Sequence, residues 1–231
     1  MEKYQYEKKP RVLCLHGHAT SANIFKKELE LGWPQYLLDK LDLVFLNAPF
    51  LLQDKVDVHD IFYPPYYEWF QSTEDFKEIY NFEECIQYVE ANMEKYGPFD
   101  GVLGFSQGAV IAASMPGMQR DRVALTKVPK IKFVMLIAGG KFGGIELGCP
   151  KLASNAFAYP IECPSLHFIG EKDPHLLNEE ELAGCFVNPV VIHYPEGHKV
   201  PNLDAERTEI VIEFINKVKK IKMPLQGNSR L

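Results

Sequence analysis

The 231-residue sequence lacks the features of several protein classes. Its five cysteines are odd in number and include no C-x-x-C pair, which excludes a complete disulfide framework and zinc or dithiol redox motifs. No apolar run is long enough to cross a bilayer, and residues 1–6 contain no hydrophobic signal segment. We therefore expect a cytoplasmic protein without a membrane span. The absence of H-E-x-x-H spacing argues against bound metal and against a metal-dependent hydrolase.

The chain also lacks an excess of positive charge. Lys and Arg together number 25 against 31 Asp and Glu, which leaves a formal net charge of −6. Because nucleic-acid affinity comes mainly from cations that neutralise phosphates, this composition argues against a nucleic-acid partner. The single basic cluster, at 217–222, has Val218 and Ile221 interleaved at helical spacing. This spacing is typical of the solvated face of a last helix.

The order of apolar segments predicts an α/β fold. Hydrophobic residues make up 46% of the chain, and apolar runs alternate with helix-like stretches, the pattern of a mostly parallel sheet with helices on both faces. We expect a single domain over 1–231, with a core at about 10–221 and a polar tail at 222–231. The predicted strands are 11–15, 43–46, 99–103, 131–137, 165–169 and 190–194; the predicted helices include 23–41 with a break at 32–34, 82–97 and 204–220.

The start of the predicted helix at 82–97 is marked by a capping pattern. Asn81, with Glu84 three residues later, resembles a capping box in which asparagine stands in for serine or threonine. The pattern predicts that the Asn81 side chain accepts a hydrogen bond from the first turn of the helix that follows.

The strongest chemical motif is GFSQG at 104–108, which fits the nucleophile elbow G-x-S-x-G. The pattern arises by chance in roughly one chain in twelve of this length, so the motif alone is weak. Here it follows an apolar strand and precedes a helix-forming run, which is the context that an elbow requires. We therefore predict Ser106 as a nucleophile at the carboxyl edge of the sheet, where open α/β folds gather their functional residues.

A serine nucleophile needs a base and a residue that orients the base. The order expected for an elbow serine is Ser, then an acid, then His, and Asp173 and His198 satisfy it at the ends of two later strands. Glu171 is the reserve acid. Two other histidines, His167 and His193, lie inside strand patterns and are interpreted as core or face positions.

The oxyanion formed during acyl transfer needs two backbone N–H donors. In an elbow fold these are the amide after the nucleophile and one in the loop after an early strand. We predict Gln107 for the first donor and His18 for the second, with Ala19 as the alternative to His18.

Segment 50–80 shows no clean period and is dense in aromatic residues. Thirty irregular residues in a compact domain are typical of a functional loop or lid. Two interpretations stay open: the aromatics bind substrate, with Tyr67, Trp69 and Phe70 as contacts, or they pack the loop onto the core.

The motifs together resemble the serine hydrolase family that includes the ovarian-tumour-suppressor-candidate-like proteins. The resemblance spans residues 11 to about 215 and implies a compact α/β-hydrolase with esterase or thioesterase activity, no cofactor and no large cap domain. The matching stretches are LHG at 15–17 with Ser21, FLNAP at 45–49, GFSQGA at 104–109, GEKD at 170–173 and GHKVP at 197–201.

We expect the partner to be a small-molecule ester or thioester with a partly apolar acyl group. A second class stays open, a hydrolase-fold sensor that binds a small molecule and turns it over slowly. The chain ends in Ser229, Arg230 and Leu231, one basic swap from the peroxisomal S-K-L address, so a peroxisomal location is an alternative to the cytoplasm.

Overall fold

The computed structural model of the chain describes residues 8–52 and 64–221. The aromatics among residues 53–63, and the tail 222–231 with its C-terminal tripeptide, lie outside the described residues, so what we expect of them remains a prediction. None of the helices in the two described ranges combines the length and apolar character that crossing a bilayer requires.

Six of the strands in the described residues form one central sheet. The strands in chain order are β1 (Arg11–Leu15), β2 (Asp42–Leu46), β3 (Phe50–Leu51), β4 (Tyr67–Glu68), β5 (Gln71–Ser72), β6 (Ile79–Tyr80), β7 (Gly101–Phe105), β8 (Phe133–Ile137), β9 (Ser165–Gly170) and β10 (Val190–Tyr194). The sheet order is β10-β9-β8-β7-β1-β2, and every neighbouring pair is parallel. The predicted parallel sheet is confirmed, and all six carboxyl ends lie along one edge.

Helices cover both faces of the sheet, as the sequence predicts. They are α1 (Ala22–Gly32), α2 (Gln35–Leu38), α3 (Phe82–Tyr96), α4 (Gln107–Arg120), α5 (Leu176–Ala183) and α6 (Ala205–Lys219), with one 3-10 turn at Lys151–Ala153. Side chains of α1, α2 and α6 share a buried cluster with Val12 and Cys14, whereas α3, α4 and α5 share another with Leu13 and Leu15. Because successive strand residues point to opposite faces, these clusters are the two sides of the core.

The start of α3 corrects the capping prediction. The helix lies where the sequence places it, but Asn81 has φ 58° and its side chain makes no cap hydrogen bond. Its amide nitrogen instead donates to Gln71 Oε1 at 2.6 Å, across to β5. The Asn81 side chain therefore bonds to a residue distant in the chain instead of capping α3 as the local pattern predicts.

The described parts of segment 50–80 contain two small antiparallel pairs, β3 with β4 and β5 with β6. Backbone hydrogen bonds fix this segment to the loop after β1, since the Tyr67 amide donates to Thr20 O at 2.7 Å. Trp69 is fully buried, and its indole N–H donates to His16 O at 2.8 Å. Packing onto the core is therefore the role that the structure gives to Trp69.

Candidate active site

A sharp turn between β7 and α4 holds Ser106 at the carboxyl edge of the sheet. Ser106 has φ 52° and ψ −118°, a conformation that costs about 1–3 kcal/mol for a residue with a side chain. Both flanking glycines are necessary: a Cβ on Gly104 would lie 2.4 Å from Gly108 O, and one on Gly108 would lie 2.2 Å from Leu15 O. The G-x-S-x-G spacing thus follows from how closely the strand and helix backbones pass.

His198 lies between Ser106 and Asp173, the three residues that the sequence predicts to act together. Its Nε2 is 2.8 Å from Ser106 Oγ, and its Nδ1 is 2.7 Å from Asp173 Oδ2. Because an ionised carboxylate only accepts hydrogen bonds, Nδ1 carries the proton and donates to Asp173. The Nε2 atom is then free to accept a hydrogen bond from the Ser106 hydroxyl. Glu171, the reserve acid, is exposed.

Asp173 is held as a buried anion. Its side chain is fully buried, and Oδ1 accepts a hydrogen bond from the His175 amide at 2.8 Å. Burial by itself raises the pKa of a carboxyl group, but the neighbouring Glu179 carboxyl group, the His175 amide and His198 outweigh it and hold the pKa of Asp173 below its usual range. The carboxylate therefore stays ionised where it faces His198.

The residues predicted for the oxyanion hole lie around the same serine. Gln107 is the first residue of α4, and His18 lies in the loop after β1; both line a cavity together with Ser106 and His198. The His18 side chain is half-exposed, with Nδ1 3.4 Å from Glu68 Oε2. The assignment of the Gln107 and His18 amides as donors stays a prediction.

The cavity above Ser106 has a volume of about 440 Å³. Of the three aromatics predicted to contact substrate, Phe70 lines it, whereas Tyr67 and Trp69 do not. Trp69 has no exposed surface, which corrects the prediction for that residue. Tyr67 is half-buried and pairs through its backbone with the loop after β1, and its contact with substrate stays a prediction. Other lining residues include the apolar side chains of Phe76, Val110, Ala138 and Leu147 and the acidic ones of Glu68, Glu74 and Glu146.

The Gln107 side chain has a role that the sequence analysis missed. Its Oε1 accepts from the Trp69 amide at 2.8 Å, and its Nε2 donates to Phe70 O at 2.7 Å. One side chain thus fixes the backbone of the cavity wall to the residue next to Ser106. The only local signal is an amide at the position after the elbow serine, which is too common a residue type to predict this contact.

His16, at the end of β1, is a second residue whose role was missed. It is fully buried, and its Nε2 accepts a hydrogen bond from the Ala48 amide at 3.0 Å. The proton is therefore on Nδ1, which donates to Gly17 O at 2.7 Å. Burial lowers the pKa of His16 to about 4, so the ring is neutral and joins the loops after β1 and β2.

A buried carboxyl group, Glu179 on α5, lies behind the Ser106–His198–Asp173 chain. One of its oxygens lies within 4.8 Å of ligand-type atoms of Asp173 and His198, and these three are the potential metal-ligand group found in the described residues. His198 uses both ring nitrogens in hydrogen bonds to Asp173 and Ser106, so neither is free for a metal. The donor set fits a proton relay better than a metal centre.

His175 stands at the cavity wall beside the relay. Its Nδ1 is 2.6 Å from Glu146 Oε2, and its ring centroid is 5.6 Å from that of His198. It contacts neither Ser106 nor the Asp173 side chain through its ring, which agrees with the choice of His198 as the base. His167 is buried within β9, and His193 is exposed on β10.

A parallel sheet with helices on both faces, and a strained serine on a strand-to-helix elbow, define the α/β-hydrolase class. A family model described as "Serine hydrolase (FSH1)" matches residues 4–210. The chain belongs to this family and is a serine hydrolase, so the resemblance drawn from the motifs is confirmed.

Individual relatives carry esterase names. The chain is 30% identical over 220 residues to "Esterase OVCA2" of Danio rerio, with 85% of this chain and 92% of the relative covered. It is 28% identical over 222 residues to "Esterase CG5412" of Drosophila melanogaster, with 92% and 75% covered. These names support ester hydrolysis and do not favour the alternative of a slow small-molecule sensor.

Solved structures with the same fold are more distant in sequence. The acyl-protein thioesterase 2 of Zea mays superimposes with a TM-score of 0.59 at 16% identity, covering 93% of this chain and 96% of that one. A carboxylesterase from Mesorhizobium loti gives 0.59 at 13% identity, with 91% and 90% covered. At these identities the likeness establishes the fold, and the predicted α/β-hydrolase architecture is confirmed.

Proposed function

We propose that Ser106, His198 and Asp173 form a catalytic triad that hydrolyses carboxylic esters or thioesters through an acyl-enzyme. The observation that carries the proposal is the continuous hydrogen-bond chain of 2.8 Å and 2.7 Å from Ser106 through His198 to a buried carboxylate. The chain begins at the cavity wall, so a bound ester has access to the serine.

The geometry supports a two-step reaction. Ser106 Oγ attacks the acyl carbonyl while His198 Nε2 takes the hydroxyl proton, and the Asp173 carboxylate stabilises the imidazolium that forms. The tetrahedral intermediate collapses, and His198 gives its proton to the departing alkoxide or thiolate. A water molecule then attacks the acyl-enzyme, losing its proton to His198. Collapse of the second intermediate releases the acid and returns the proton to Ser106.

The amides of Gln107 and His18 are the proposed donors to the oxyanion in both intermediates. Gln107 stands at the start of α4, where the helix dipole also favours developing negative charge. Losing one such donor costs about 3 kcal/mol of transition-state stabilisation.

The composition of the cavity wall supports a partly apolar, uncharged substrate. Each CH₂ of an acyl chain buried against its apolar side chains contributes about 0.8 kcal/mol to binding. Three glutamates also line the cavity, and no lysine or arginine among the described lining residues balances them. Nearby Lys77 donates to the carbonyl oxygens of Ile145 and Glu146. We therefore propose neutral esters or thioesters over phosphorylated ones.

Ser106→Ala tests the triad proposal. The variant removes the nucleophile, so ester turnover should fall by about 10⁴ to 10⁶ while the fold is retained. A fluorophosphonate probe should label the unmodified chain at Ser106. Ser154→Ala is the matched control, since Ser154 is exposed and is absent from the cavity wall. Labelling and turnover that persist in Ser106→Ala would overturn the proposal.

A further inference from the structure

The buried carboxyl of Glu179 has no part in the mechanism above. Glu179 lies on α5 and is 2% exposed. Its Oε2 accepts a hydrogen bond from the Gly170 amide at 3.1 Å, while Oε1 is buried without a hydrogen-bond donor among the described residues. A buried acceptor left without a donor costs free energy. The groups around Glu179 therefore decide whether its carboxyl is ionised or protonated.

The titratable neighbours of Glu179 do not supply a compensating cation. Asp173 faces it from the loop after β9 and Glu180 lies on its own helix, and both disfavour a second negative charge. Tyr194 faces it from β10 and stays neutral, because burial and the nearby carboxyl groups raise the pKa of its hydroxyl. His198, from the loop after β10, already donates its Nδ1 proton to Asp173. The Tyr194 hydroxyl donates to Lys199 O at 2.9 Å, so it is not a donor to Glu179.

Protonation removes both difficulties at once. A neutral carboxyl places no second anion beside Asp173, and its hydroxyl becomes a donor that the Asp173 carboxylate can accept. Burial, followed by the hydrogen bond and the charge of Asp173, raises the pKa of Glu179 to about 9, which agrees with this state at neutral pH.

We propose that Glu179 is protonated in the working enzyme and that its hydroxyl donates a hydrogen bond to Asp173, which makes it a positioning residue for the triad. The proposal rests on the proposed function. Asp173 then accepts from three donors: the His175 amide, His198 Nδ1–H and the Glu179 hydroxyl. The third donor fixes the carboxylate that orients His198 and withdraws part of its negative charge, so His198 releases its proton more easily.

Three variants separate a hydrogen-bond donor from a simple packing role. Glu179→Gln keeps an acceptor for the Gly170 amide and an N–H donor towards Asp173, whereas Glu179→Leu keeps only the volume. Glu209→Gln changes an exposed carboxylate on α6, which is not among the charged groups that face Glu179, and is the matched control. Each is assayed with a neutral aryl ester from pH 5 to pH 10.

Glu179→Leu should lose on the order of ten- to a hundredfold in kcat with little change in KM, because Asp173 is no longer fixed. The acid limb of the pH profile of kcat/KM should move to higher pH. Without the hydrogen bond from Glu179, Asp173 keeps its full negative charge, and His198 therefore holds its proton more tightly. Glu179→Gln should retain most of kcat and the unshifted acid limb. Above pH 9 the unmodified enzyme should lose activity as Glu179 ionises, and Glu179→Gln should not.

Two results would overturn the proposal. The first is a loss of kcat in Glu179→Gln as large as that in Glu179→Leu. The second is an alkaline limb of the pH profile that is the same in the unmodified enzyme and in Glu179→Gln. If Glu179→Leu fails to fold, the alkaline limb of Glu179→Gln still decides. If instead the proposed triad is wrong, Ser106→Ala would remain active, so this outcome can be distinguished from a wrong role for Glu179.

Discussion

Glu179→Gln should stabilise the fold at neutral pH, by an amount that grows with pH. In the unfolded chain Glu179 ionises with its ordinary pKa of 4.5, whereas in the fold burial beside Asp173 raises the pKa. Folding at pH 7 therefore requires the carboxyl to take up a proton that the unfolded chain does not hold. Glutamine has the same shape and no proton to take up.

The size of the effect follows from linkage. A carboxyl whose folded pKa is raised contributes its full stability below the unfolded pKa and loses it as pH rises through the folded pKa. Each pH unit above 4.5 costs about 1.4 kcal/mol, so the cost at pH 7 reaches about 3 kcal/mol. The glutamine amide needs its own hydrogen bonds, and we expect a net gain of about 1–3 kcal/mol at pH 7. At pH 4.5 the gain should disappear.

Urea unfolding at pH 5, 6, 7 and 8 measures this difference directly. Trp33 and Trp69 are both buried, so their fluorescence reports the transition. The difference in unfolding free energy between Glu179→Gln and the unmodified chain should rise steadily over this range. Glu209→Gln provides the baseline and should show no such slope. A slope of zero for Glu179→Gln would refute the argument that the carboxyl is protonated, without reference to activity.

Three further predictions concern the reaction. His198→Ala should lose on the order of 10⁴-fold in kcat, whereas His193→Ala, an exposed strand position, should keep most activity; the reverse result in a steady-state assay would reject His198 as the base. Gln107→Leu leaves the backbone N–H but removes two hydrogen bonds to the cavity wall, so Tm should fall by the equivalent of about 1–3 kcal/mol and KM should rise. An unchanged Tm and KM would show that the Gln107 side chain does not fix the cavity wall. In a series of neutral aryl esters, kcat/KM should rise from acetyl to medium-chain acyl groups. It should also exceed the kcat/KM of phosphorylated thioesters of equal chain length. A flat series, or a preference for the phosphorylated substrates, would count against the proposed substrate.

The parts of the site that could be predicted from sequence are those set by local backbone geometry. Two glycines around Ser106 are required because the strand and helix backbones pass too closely for a side chain at either position. Continuous apolar runs predict the buried strands of the sheet, and parallel strands bring their carboxyl ends to one edge. For that reason Asp173 and His198, read only as polar residues at strand ends, meet Ser106 within hydrogen-bond distance.

The remaining features depend on which distant segments pack together. The Asn81 amide bonds to Gln71 instead of to its own helix, and Trp69 is buried against His16 instead of facing the cavity. Glu179 looks like one more acidic residue of a surface helix until α5 is packed against the loop after β9, which buries it beside Asp173. Its hydrogen-bonding state is set by desolvation and by a neighbouring charge, and both exist only once the tertiary structure has removed water from that position.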